Sequence, residues 1–156
     1  DKAGNPKVIE FNCRFGDPET QPVMLRLESS LVLLVEAAFA KALDKVEAQW
    51  DPRPSLGVVL AAGGYPGDYA KGDVINGLDA AAKIEGKVFH AGTALKDGKV
   101  TTNGGRVLCA TAMGSTVADA QQQAYRLAKE VSWNGSFYRT DIGYRAIARE
   151  RGEHQQ

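Results

Sequence analysis

Hydrophobic and polar residues alternate over residues 8–15, Val-Ile-Glu-Phe-Asn-Cys-Arg-Phe. A strand there sets Ile9, Phe11, Cys13 and Phe15 on one face and Val8, Glu10, Asn12 and Arg14 on the other. The first face reads as core; the second carries chemistry or meets water. Residues 1–6, Asp-Lys-Ala-Gly-Asn-Pro, suit a hairpin turn, because Gly4 and Asn5 tolerate positive φ and Pro6 cannot continue a ladder, yet no partner strand for that turn is readable. Gly16-Asp17-Pro18-Glu19 ends the strand. Ser29 or Ser30 then caps a helix through Leu31, Leu34, Val35, Ala38 and Leu43, an amphipathic element that needs a sheet to cover.

Asp51-Pro52-Arg53-Pro54 is the one plausible linker, since closely spaced prolines favour extended chain, and it places a domain boundary between residues 1–53 and 54–156. Beyond it the apolar runs 56–62, 87–95 and 106–112 predict strands separated by glycine-rich turns. Asp97-Gly98 predicts a hairpin to a further strand around Val100 and Thr101. Ser115 or Thr116 with Asp119 starts a helix whose buried face is Val117, Ala120, Ala124, Leu127, Ala128 and Val131. A last amphipathic stretch, 142–148, runs into a polar tail, 150–156. The fold class expected is α+β, with a strand and helix ahead of a mainly antiparallel β-domain that also carries helices.

Composition narrows the partners. With 156 residues and 44% hydrophobic side chains the chain can bury a core, as one domain or two small ones. Its longest aliphatic run, 31–35, falls far short of the ~20 residues a bilayer span needs. Nineteen basic residues balance nineteen acidic ones, so no global field holds a polyanion: neither nucleic acid nor membrane is an expected partner, while a small anionic metabolite is. Cys13 and Cys109 lack ligand spacing and form no disulfide framework, and no signal peptide is visible, so a cytoplasmic location is expected.

Glu10, Asn12 and Arg14 put three kinds of polar group in line on one strand face. A carboxylate and an amide oxygen two residues apart suit magnesium beside a nucleotide, and Arg14 suits a transferring phosphoryl group; a plain solvated strand face is the alternative. Gly63-Gly64-Tyr65-Pro66-Gly67 lacks the residues of either phosphate-binding glycine motif and reads as a turn. Asn103-Gly104-Gly105-Arg106 lets backbone approach an anion on which Arg106 can close, or is a turn flanked by a surface cation. His90 and His154 form no zinc pattern and read as locally hydrogen-bonded; Trp50 and Trp133 read as packing residues.

The run 10–19, Glu-Phe-Asn-Cys-Arg-Phe-Gly-Asp-Pro-Glu, closely resembles the signature of the glycinamide ribonucleotide synthetase (phosphoribosylamine–glycine ligase) family, in the ATP-grasp superfamily. Residues 56–67 (Leu-Gly-Val-Val-Leu-Ala-Ala-Gly-Gly-Tyr-Pro-Gly), 88–93 (Val-Phe-His-Ala-Gly-Thr) and 102–108 (Thr-Asn-Gly-Gly-Arg-Val-Leu) resemble the same family in the same order, so the likeness covers essentially the whole chain. It implies an ATP-dependent ligase of cytosolic purine synthesis that joins glycine to 5-phosphoribosylamine through glycyl phosphate. It implies that Glu10 and Asn12 hold Mg²⁺ (or Mn²⁺) with ATP, that Arg14 stabilises phosphoryl charge, that Asp17 positions the substrate amine, and that Gly104, Gly105 and Arg106 bind substrate.

The resemblance also implies that residues 1–53 are the end of the ATP-grasp core and 54–156 the family's C-terminal domain. The amino-terminal domain and most of the nucleotide site would then belong to a missing part of the same enzyme, the chain being a fragment or one chain of a cleaved enzyme. Ending soon after Asp141-Ile142-Gly143-Tyr144-Arg145, it looks like the monofunctional bacterial type. The rival expectations are a non-catalytic binding or scaffold fragment, and an ATP-grasp ligase for another carboxylate.

Overall fold

A computed structural model describes residues 4–152. Its centre is β5 (Arg106–Met113), six of whose eight residues are buried. β1 (Ser55–Ala61) pairs antiparallel along one edge of β5, in register from Ser55 opposite Met113 to Leu60 opposite Leu108, with a shift before Ala61. β2 (Lys87–His90) pairs antiparallel along the other edge, giving the order β1-β5-β2. β3 (Thr93–Lys96) and β4 (Lys99–Thr102) form a separate hairpin, turned by Asp97 at φ 50° and Gly98 at φ 73°. Positive φ at both turn residues is what the Asp-Gly pair predicts.

Period-two alternation sorts this sheet into two faces. Leu56, Val58 and Leu60 of β1 lie opposite Ala112, Ala110 and Leu108 of β5, and all six are buried. Covering them is α4 (Val117–Glu130), through Ala120, Ala124, Leu127 and Ala128. Alanines on both helix and sheet bring the two backbones close, and Thr116 caps the helix by accepting from Asp119 N at 3.1 Å. The opposite face carries Gly57, Cys109 and Thr111, and α1 (Thr20–Arg26) packs there. Gly57 makes the fit: a Cβ would sit 2.9 Å from Cys109 Sγ and 3.2 Å from Pro22 Cγ. Ser55 Oγ donates to Pro22 O at 2.7 Å, tying α1 to the start of β1. The antiparallel sheet with helices on both faces makes the fold α+β.

α1 escapes the sequence pattern because its seven residues are too few to display a period, and Pro22 obscures it. Proline is harmless in a first turn, where the N–H has no intrahelical partner. Although α1 lies before the expected boundary, it packs on β1 and β5, which follow it. Asp51 N donates to Arg26 O at 2.8 Å, and Arg26 Nε donates to Asp51 O at 3.0 Å.

Several expectations need correction. Residues 8–15 adopt no strand, and neither face is core: Ile9 is 95% exposed, Phe11 84% and Phe15 53%, and Cys13 is exposed too. No strand among the described residues lies alongside to take its backbone hydrogen bonds, so its alternation has nothing to bury against. The helix at residue 31 starts where Ser30 accepts from Leu33 N, but α2 (Leu31–Phe39) stops short of Leu43. Lys41, at φ 55°, closes a Schellman turn in which its own N–H bonds Ala38 O and that of Ala42 bonds Ala37 O. A single 3₁₀ turn, Leu43–Lys45, follows. The run 87–95 is two strands in two sheets, because the chain crosses the start of β5 at Gly92, where a Cβ would meet Arg106 O and Gly104 Cα, each at 2.7 Å.

Downstream, a short α3 (Leu78–Ala81) precedes β2, and the terminal helix α5 spans Tyr144–Glu150, starting after Gly143 at φ 85°. Val117 is only half-buried, whereas the other five expected core positions of α4 are buried. Trp133 is buried; Trp50 is 44% exposed and pairs its backbone with Leu27. His90 Nδ1 lies 3.1 Å from Thr93 Oγ1, the local bond expected of it. His154 and part of the 1–6 turn lie outside the described residues. No helix among the described residues is long and apolar enough to cross a membrane.

Candidate active site

Two chain segments meet where β5 begins. The loop 14–19 arrives from the exposed amino-terminal run and is anchored by α1, whose first turn takes Thr20 N and Oγ1 bonds onto Gly16 O at 3.0 and 2.6 Å. Arg106 arrives at the end of the glycine turn, with Gly105 O accepting from Ala62 N at 2.8 Å. Across 89 residues of sequence, Arg106 Nη2 reaches Asp17 Oδ2 at 3.1 Å and Nη1 donates to Asp17 O at 3.4 Å. Arg14, Gly16, Asp17, Glu19 and Arg106 line a concavity of about 440 Å³. An arginine fork and a second guanidinium beside carboxylates suit a ligand carrying both an anion and an amine.

The expected site residues fall into three groups, of which Gly104 and Gly105, in the turn before Arg106, do not line the concavity. Arg14, Asp17 and Arg106 come together in this concavity. Glu10 and Asn12 lie upstream on the exposed run, where Asn12 Nδ2 donates to Glu10 Oε1 at 3.2 Å. The pair therefore offers a carboxylate and an amide side by side, and exchanging the amide's nitrogen and oxygen presents two hard oxygen donors, which fits a cation that draws its other ligands from phosphates and water. Among the described residues no cluster of three or more histidines, cysteines or acids gathers elsewhere for a metal.

Gly104 and Gly105 have steric work of their own. A Cβ on Gly104 would come within 2.9 Å of Gly92 Cα, and one on Gly105 would overlap the Tyr65 ring. Tyr65 is the neighbour to which the sequence assigns no role; its signals are the glycine-proline turn around it and its place in the 56–67 motif. Elsewhere, burial raises the Cys109 thiol pKa, against a partly offsetting hydrogen bond with Thr111. Cys109 thus behaves as a core residue and not as a nucleophile.

An antiparallel sheet between helices, with an arginine–aspartate concavity at the head of its central strand, defines an α+β domain. The family model "Phosphoribosylglycinamide synthetase, C domain" matches residues 55–145, and the chain belongs to this family. It is 99% identical over 156 residues to the phosphoribosylamine–glycine ligase of Pseudomonas putida, covering all of this chain and 36% of that protein. It is 63% identical over 152 residues to that of Salmonella typhimurium, covering 97% of this chain and 35% of that one. The crystal structure of phosphoribosylamine–glycine ligase from Thermotoga maritima superposes with a TM-score of 0.64 at 38% identity, over 88% of this chain and 34% of that one. The chain thus spans about 36% of the length of its Pseudomonas putida relative.

Proposed function

We propose that this chain is the C-terminal part of an ATP-dependent carbon–nitrogen ligase of purine biosynthesis. ATP transfers its terminal phosphoryl group to glycine's carboxylate. The amine of 5-phosphoribosylamine then attacks the glycyl carbonyl, phosphate leaves as the C–N bond forms, and the amine gives up a proton. The products are glycinamide ribonucleotide, ADP and phosphate. The observation that carries this reading is the convergence of Arg14, Asp17 and Arg106 on one concavity from distant parts of the chain.

Each residue has a role set by its chemistry. Arg14 stabilises the charge of the transferring phosphoryl group. Asp17 accepts a hydrogen bond from the substrate amine and orients it. Arg106, at the end of the glycine turn, holds the phosphoribosyl oxygens. Glu10 and Asn12 would hold Mg²⁺ or Mn²⁺ with ATP; the bound ion neutralises phosphate charge.

Most of the nucleotide site belongs to the part of the enzyme outside this chain, which spans 36% of its Pseudomonas putida relative, so this chain alone forms no product. Co-expressed with the rest of the Pseudomonas putida relative, it should restore ADP release that depends on magnesium, glycine and 5-phosphoribosylamine together. A folded complex lacking that activity, or substrate-dependent turnover by the lone chain, would overturn the proposal. In the active complex Glu10→Gln and Asn12→Ala should each lower kcat at least ~100-fold, as loss of a metal contact to a phosphoryl transition state implies.

A further inference from the structure

The segment Gly63-Gly64-Tyr65-Pro66-Gly67 reads in the sequence as a turn within one of the motifs of the family resemblance, and its tyrosine lies near the arginine of the cleft. We propose that Tyr65 is a positioning residue for Arg106: its ring braces the guanidinium beside Asp17, and residue 105 is glycine so that the ring can lie there. The functional consequence rests on Arg106 being a substrate contact, as proposed above.

Three observations converge on it. The first is anchorage: Tyr65 N donates to Ala62 O at 3.0 Å, and Ala62 N donates to Gly105 O at 2.8 Å, so the tyrosine turn and the start of β5 are joined through one residue. The second is space. A Cβ at Gly105 would overlap the Tyr65 ring, with Cε2 2.7 Å and Cγ 3.1 Å away, so any side chain there expels the ring. The third is the guanidinium itself. Arg106 Cζ lies 6.0 Å from the Tyr65 ring centroid, at the outer limit of cation–π attraction, while its two terminal nitrogens reach Asp17.

The guanidinium is thus held between an aromatic ring and an acidic loop. Tyr65 is half-buried and has the Tyr69 ring at its back, 6.3 Å between centroids, so the brace is itself supported. An unbraced arginine samples many rotamers, and a ligand must order it on binding; a braced one spares the ligand that cost. The ring makes this contact, so phenylalanine should replace tyrosine at position 65 and leucine should not.

Two measurements test the brace, and they separate it from the substrate assignment. In the 156-residue chain the Arg106 Nε–Hε resonance should be ring-current shifted, in the native protein and in Tyr65→Phe alike. It should revert toward that of a free arginine in Tyr65→Leu and in Gly105→Ala. A resonance that Tyr65→Leu leaves unmoved overturns the proposal.

In the complete ligase, Tyr65→Leu should raise KM for 5-phosphoribosylamine about fivefold, the size of one cation–π contact, with KM for ATP unchanged. Tyr65→Phe should stay near the native value, and the double variant Tyr65→Leu with Arg106→Ala should be no worse than Arg106→Ala alone. Effects that multiply in the double variant would show that Tyr65 acts through another group, and the proposal falls. If the resonance moves as expected while Arg106→Ala leaves KM unchanged, the brace stands and the assignment of Arg106 to substrate is what fails.

Discussion

α2 and α4 make an instructive pair. Both begin at a hydroxyl cap that accepts from the third helical N–H, Ser30 to Leu33 and Thr116 to Asp119. α2, Leu-Val-Leu-Leu-Val-Glu-Ala-Ala-Phe, is far the more apolar, yet none of its residues is buried, and Val32, Leu33 and Phe39 are 66%, 64% and 87% exposed. α4 is rich in glutamine and charge, yet buries Ala120, Ala124, Leu127 and Ala128 completely. The contrast extends to the whole chain, for among the described residues no side chain ahead of Leu56 is buried. Apolar character supplies the tendency to bury; an opposing surface decides whether burial occurs. Of the two helices only α4 has such a surface, in the sheet built on β5.

The sharpest way to break this comparison is hydrogen exchange. Amides of residues 8–15 and of α2 should exchange at nearly the intrinsic rate in the isolated chain, while those of β5 open only with global unfolding. Protection should spread to both segments when the rest of the ligase is added. Strong protection of residues 8–15 in a monomer would contradict the contrast.

Next in size come core truncations. Leu60→Ala and Leu127→Ala remove fully buried side chains and should each cost about 2–5 kcal/mol in urea denaturation. Leu33→Ala, on the exposed helix, should stay within about 0.5 kcal/mol. A smaller effect separates the caps: Thr116→Ala should lower stability by ~1 kcal/mol, whereas Ser30→Ala should change local helicity without moving the global midpoint.

The smallest effect concerns the join between the two regions. Hydrogen bonds from the Arg53 side chain and backbone lower the Asp51 pKa from 3.8 to about 2. A carboxyl whose pKa is depressed by folding contributes stability that is fully present above 3.8 and is lost as pH falls toward about 2. Because its partner Arg53 is open to solvent, the contribution is slight. An NMR titration should place its midpoint near 2, and Arg53→Ala should return it toward 3.8.

Local elements were legible where their signals are local. The α4 cap, its apolar stripe and the Asp97-Gly98 hairpin each involve residues within a few positions of one another, and each forms as the pattern predicts. The α1 helix was not legible, being too short to repeat. The split of the run 87–95 was invisible as well, because it depends on the backbone crossing of Gly92 over Gly104 and Arg106. At the site, the residue types were readable from the run 10–19 and from the turn before Arg106. Their grouping was not: Asp17 and Arg106 meet across 89 positions, and Tyr65 joins them through a packing contact that no motif encodes.

By itself the sequence determined the residue chemistry, the caps, the turns, the α+β class and the resemblance to a ligase family, all of which arise from short-range steric and hydrogen-bonding preferences or from motif order. Tertiary structure alone decided which apolar faces are buried, and it brought Arg14, Asp17 and Arg106 to one cleft while leaving Glu10 and Asn12 outside it. The physical reason is that burial and ion pairing depend on distance in space. Residues 8–15 carry a strand's alternation, but a strand forms only against another strand, and none of the described residues supplies one.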